Sequence, residues 1–109
     1  MSASVQAGSL GDAGEPPDVG ERTTEVVRVD GFRVEVISSG VVNTPVEFLQ
    51  AHDEWVLVLD GVAILDVGGA DHELSAGDWV FVPAGTAHRL VSVQPGTRWL
   101  AVHDLPPGL

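Results

Sequence analysis

From Glu25 onward, valine, isoleucine, leucine and tryptophan come in short bursts divided by glycine, proline, aspartate and serine. Short apolar or alternating runs bounded by turn residues predict β-strands. The predicted strands are 25–29, 32–38, 46–50, 54–59, 62–67, 72–74, 79–82, 87–93 and 97–103. The breaks include Asp30-Gly31, Ser39-Gly40, Gly68-Gly69, Ala76-Gly77-Asp78, Pro83-Ala84-Gly85 and Gln94-Pro95-Gly96. Each supplies a residue that presets a turn or tolerates positive φ. Asp60-Gly61 between two apolar runs predicts a hairpin, and Gly68-Gly69 predicts another. No segment carries a capped apolar stripe of helical period, so the pattern predicts an all-β sandwich or barrel.

Some strands are apolar on both faces. In Glu54-Trp55-Val56-Leu57-Val58-Leu59, one face carries Trp55, Leu57 and Leu59, and the other Glu54, Val56 and Val58. One face lines an interior. The other needs cover from a second sheet, the N-terminal strands or another subunit. A homodimer is one expectation that follows.

Residues 1–24 read differently. They hold four glycines, the pair Pro16-Pro17 and few large apolar side chains, with Asp12, Glu15, Asp18 and Glu21 against Arg22. Such a stretch buries too little apolar surface to offset its ordering entropy. The expected organisation is a flexible acidic tail over 1–24 and one β-domain over 25–109, in a chain of 109 residues.

Charge narrows the partners. Acidic residues outnumber basic ones 16 to 5, a net charge of -11, and every base is arginine. Through Glu25 the chain holds five of the acids and one base, and the remainder holds 11 acids and four bases. The domain itself is therefore acidic, which argues against a nucleic-acid partner and against an anionic membrane surface. With no cysteine there is no disulfide, thiolate nucleophile or cysteine-ligated metal. The first residues lack the basic and apolar regions of a signal peptide, and the longest apolar run is Trp55–Leu59. A cytoplasmic protein is expected.

The chemistry concentrates in Gly77-Asp78-Trp79-Val80-Phe81-Val82-Pro83-Ala84-Gly85-Thr86-Ala87-His88. A glycine turn leads into an apolar strand, proline and glycine reverse the chain, and a histidine opens the next strand. This stretch resembles the second motif of the cupin family: glycine, five residues, proline, one residue, glycine, two residues, histidine. Ser92 stands where that motif ends in asparagine. Glu54 and Gly61 match the glutamate, six residues, glycine that close the family's first motif. The resemblance covers residues 40–103 and extends to 26–103. It implies a small double-sheet jelly-roll barrel, also called a double-stranded β-helix. It also implies one divalent transition metal inside the barrel, held by histidines and the glutamate. Imidazole and carboxylate donors suit iron, manganese, nickel, zinc or copper.

The first motif departs from the family where its histidine pair belongs. One spacing puts Phe48 and Gln50 there, the other Glu47 and Leu49. The nearest histidine is His52. Residues two apart on a strand share a face, so Gln50, His52 and Glu54 are expected to point into the barrel together, opposite His88. The expected metal set is His88, Glu54, His52 and Gln50. Segments Glu54-Trp55-Val56 and Trp99-Leu100-Ala101-Val102-His103 further resemble a functionally unassigned bacterial subgroup of cupins, which brings in His103. Phe48, Trp79 and His103 are the expected walls of a small-molecule pocket, and His72 is expected at the surface.

Two functions follow. In the first, a metal bound through His88 and Glu54 acts on a small molecule. In the second, the depleted first motif has lost the metal, and the barrel binds a ligand or regulates without catalysis.

Overall fold

The structure, a computed structural model, describes residues 4–105. It holds nine strands after a short 3-10 turn at Leu10–Ala13. They are β1 (Glu21–Val29), β2 (Gly31–Ser39), β3 (Val46–Phe48), β4 (Glu54–Asp60), β5 (Val62–Val67), β6 (Ala70–Ser75), β7 (Trp79–Val82), β8 (His88–Val93) and β9 (Arg98–Leu105). A five-stranded sheet runs β1-β2-β9-β4-β7 and a four-stranded sheet runs β3-β8-β5-β6. Every ladder in the two sheets is antiparallel. This is an all-β jelly-roll barrel. Among the described residues no helix is long and apolar enough to cross a membrane.

All nine predicted runs are strands; 62–67 and 79–82 match in full, and the others have shifted ends. β1 begins at Glu21 rather than 25, because the polar residues Glu21 to Thr24 pair with Ser39 to Val36. β3 stops at Phe48, and residues 49–53 form a loop instead of extending the strand. Gly68-Gly69 makes the expected hairpin, with Val67 opposite Ala70. Asp60-Gly61 does not make one. β4 pairs with β7 and β9, whereas β5 pairs with β6 and β8. Asp60-Gly61 is therefore a corner at which the chain leaves one sheet for the other. A turn dipeptide reports a reversal, and it carries no information on whether the two strands pair afterwards.

The core lies between the sheets. Val56, Val58, Trp99 and Ala101 from one sheet pack with Ala63, Leu65, Leu74 and Leu90 from the other. The inward face of β4 is thus Glu54, Val56 and Val58, all buried. Trp55, Leu57 and Leu59 face outward and are half-buried. On the edge strand β7, Trp79 is 59% and Phe81 50% exposed. The indole rings of Trp79 and Trp55 lie 6.3 Å apart on this side.

The segment before β1 is tied to the sheet. The Thr24 hydroxyl donates to the Ala13 carbonyl at 3.1 Å, and the Arg98 guanidinium to the Leu10 carbonyl at 2.9 Å. Gly40 N–H donates to the Gly20 carbonyl and Val41 N–H to that of Asp18.

A buried polar chain links β1 to the core. The Trp99 indole N–H donates to Ser39 Oγ at 3.1 Å, and the Ser39 hydroxyl donates to Glu21 Oε2 at 2.6 Å. Burial pushes the Glu21 carboxyl above its ordinary value of 4.5, and the Ser39 hydrogen bond partly opposes it. A carboxyl that binds its proton more tightly when folded lowers stability as pH rises through the window between those two values. Ser39→Ala removes the donor that favours the charged form. It is expected to cost about 1–3 kcal/mol at neutral pH and less below pH 4.5, where the carboxyl is neutral. Urea denaturation of both proteins at the two pH values checks this.

Candidate functional site

Between the sheets the barrel holds a partly open cavity of about 140 Å³. Its apolar walls include Phe48, Val56, Leu65, Leu90 and Trp99, and its polar groups include Glu21, Glu35, Gln50, Glu54, His88 and His103.

Strand alternation delivers each polar group. Glu54 opens β4 on the face of Val56 and Val58, and stands opposite His103 of β9. Glu35 of β2 shares the inward face with Ile37. His88 opens β8, opposite Phe48 of β3 and Val67 of β5. The Phe48 ring stacks on the His88 imidazole with centroids 5.3 Å apart. The turn over Pro83 to Gly85 holds the intervening loop. Gly85 N–H donates to the Gln50 carbonyl at 2.8 Å, and Ala84 N–H to Asp53 Oδ1 at 2.8 Å.

The polar groups form a connected set. Glu54 Oε1 lies 3.4 Å from His88 Nε2, and Glu54 Oε2 lies 3.4 Å from His103 Nε2. Both separations exceed the usual length of a charge-assisted hydrogen bond. His103 Nε2 comes within 2.6 Å of Glu35 Oε1. That approach is close but off-axis, so Nε2 is met by charge without a well-aligned bond. Behind it, His103 Nδ1 lies 2.9 Å from His52 Nε2. His88 Nδ1–H donates to the Thr86 carbonyl at 3.1 Å. In the neutral ring this leaves Nε2 as an acceptor facing the cavity. The Gln50 side-chain oxygen is buried without a partner.

These placements sort the expected residues. His88, Glu54, Gln50, Phe48 and His103 all line the cavity. His52 instead lies in the 49–53 loop and meets His103 from behind. Gln50, His52 and Glu54 share no strand, because β3 ends at Phe48, so the two-residue parity does not apply to them. Trp79 stands on the outer face, since alternation along β7 turns Val80 and Val82 inward. His72 is exposed on β6. Glu35 and Glu21 are cavity residues that the sequence reading did not single out. The available signal was the two-residue spacing of Glu35 from Ile37, which is masked by the more apolar Val34 and Val36 on the other face.

The donor set has the right elements for a divalent metal. Two donors about 2.1 Å from one tetrahedral ion stand about 3.4 Å apart, which is the spacing from Glu54 to each histidine. The full set does not converge. Among the described residues no group of three or more His, Asp or Glu side chains is arranged to hold a metal ion. His103 and Glu35 face each other, and the first-motif histidine positions hold no histidine at either spacing, Phe48 and Gln50 or Glu47 and Leu49. The residues as placed do not fit a resident metal.

Solved structures share this architecture. A proposed mannose-6-phosphate isomerase from Ralstonia eutropha JMP134 is 28% identical, covering 94% of this chain and 100% of that one, with a TM-score of 0.79. KdgF from Halomonas sp. is 19% identical over 94% of this chain and 97% of that one, TM-score 0.76. An RmlC-like cupin from Shewanella frigidimarina NCIMB 400 is 17% identical over 99% and 97%, TM-score 0.79. The latter two likenesses speak to the fold. No curated protein matches the chain significantly. The family described as Cupin domain matches residues 33–103, spanning both motifs and the strands that carry the cavity apart from β1, and the chain belongs to that family.

Proposed function

We propose that the protein binds a small molecule in the barrel cavity without a resident metal, with Glu54, His88 and His103 as its polar contacts. What carries this reading is the mutual pairing of the donors beside an open cavity of about 140 Å³. The set also suits proton handling. Thr86 fixes the His88 tautomer, so in the neutral ring Nε2 is the nitrogen presented to a bound group. His52 and Glu35 hold His103 from its two ends, and Glu54 lies between the two imidazoles.

A second reading keeps a divalent transition metal on Glu54 and His88, with His103, His52 and Gln50 in support. The two 3.4 Å separations favour it. Elemental analysis of protein purified without chelator, with a small-molecule screen by NMR, decides between the two. The first reading expects well under one metal ion per chain, no change in melting with EDTA, and binding lost in His88→Ala. One transition metal per chain, removed by the same substitution, would establish the second reading in its place.

A further inference from the structure

The cavity presents an unusual balance of hydrogen-bonding groups. Three carboxylates, Glu21, Glu35 and Glu54, reach a space of about 140 Å³. Carboxylates accept only. The Gln50 side-chain oxygen is a buried acceptor with no partner. His88 has committed its Nδ1–H to Thr86, so in the neutral ring its Nε2 is an acceptor too, and the imidazole nitrogen turned toward the carboxylates, His103 Nε2, makes no aligned bond to Glu35 or Glu54. Glu54 is only 6% exposed, and its imidazole neighbours stand at 3.4 Å. A buried carboxylate with such loose partners costs several kcal/mol unless a positive donor reaches it. Arg33 does not line the cavity, and its guanidinium lies 3.5 Å from Glu35.

We infer that the ligand of this cavity is a small organic cation, an ammonium group carried on a compact apolar body. The inference rests on the small-molecule reading above and names the ligand's chemical class. An ammonium brings positive charge and several N–H donors to a place that offers acceptors. The apolar body lies against Leu65, Leu90 and Val56, and the Trp99 and Phe48 rings favour a nearby cation. Size favours a compact body, since a cavity of about 150 Å³ takes up one benzene, and this one, of about 140 Å³, is partly open, so a short substituent on such a ring is accommodated. A phosphorylated sugar would bring its negative charge against three carboxylates. The neighbouring structure named for mannose-6-phosphate is therefore no guide to the ligand of this chain.

The test is calorimetric titration of chelator-treated protein with three probes of one shape: benzylammonium, benzyl alcohol and benzoate. Benzylammonium is expected to bind at least about tenfold tighter than benzyl alcohol, with no measurable binding of benzoate. Glu54→Gln keeps the side-chain shape and is expected to erase the preference while leaving benzyl alcohol bound. Should that variant fold poorly by circular dichroism, Gln50→Leu serves instead, with benzylammonium weakened by about threefold or more. Equal or tighter binding of the alcohol or benzoate overturns the inferred class and leaves the cavity reading standing. No binding of any of the three overturns the inference, and the NMR screen then separately decides the cavity reading. A fourth titration with zinc chloride overturns the inference in favour of the metal if one ion binds per chain and expels benzylammonium.

Discussion

Replacing Gly61 with alanine is expected to destabilise the barrel by about 3–5 kcal/mol, enough to consume much of the roughly 5–15 kcal/mol of a typical domain. Two causes add. Gly61 sits at φ +98°, a conformation that side chains rarely adopt. An added Cβ would lie 2.1 Å from Thr97 Oγ1 and 2.8 Å from its Cα and Cβ. Thr97 has no room to yield. It is fully buried, its hydroxyl donates to the Gln94 carbonyl at 2.7 Å, and Val62 N–H donates to it at 3.2 Å. The strain falls on the corner where the chain changes sheet. Gly69→Ala separates the two causes, because Gly69 has φ +92° with nothing within 4 Å of an added Cβ. Its expected cost is about 1–2 kcal/mol. Urea denaturation of both variants measures the difference. Equal losses would mean that the contact with Thr97 is unimportant.

The second large effect is expected from His103→Leu, a loss of about 3 kcal/mol. Its imidazole lies between Glu35 at 2.6 Å and Glu54 at 3.4 Å, with only 4% of the side chain exposed. Removing it leaves Glu35 to Arg33 at 3.5 Å and Glu54 to His88 at 3.4 Å, and breaking a buried pair costs more than the pair contributes. Adding Glu35→Leu is therefore expected to restore part of the loss, since position 103 and its nearer partner are then both apolar while Glu54 stays without its second imidazole. A double-mutant cycle in urea reads the coupling. Additive losses would show that the contact between His103 and Glu35 carries no coupling.

The sequence made the ladder of strands legible, because turn residues recur between short apolar runs. Glu54 and His88 were legible from motif spacing. The facing of β4 was not. Both of its faces are apolar, and the bulkier set of Trp55, Leu57 and Leu59 looks outward while the smaller valines pack inside. The same ambiguity hid Glu35, whose neighbours Val34 and Val36 suggest the opposite phase. His52 was misplaced because local spacing cannot reveal that β3 ends two residues before Gln50. Trp79 reads as a pocket wall until β7 is seen as an edge strand with Phe81 and Trp79 on its outer side.

The strand order has a consequence for synthesis of the chain. β9 is the ninth and last strand of the barrel, yet it lies between β2 and β4 in the larger sheet. While a ribosome is still making residues 98–105, β2 and β4 each present an open edge that β9 will later fill. Unpaired edges invite association between chains. His103 arrives on that same strand, so the pocket has no precursor on the nascent chain. One closing event therefore fills the two inner edges and completes the cavity wall.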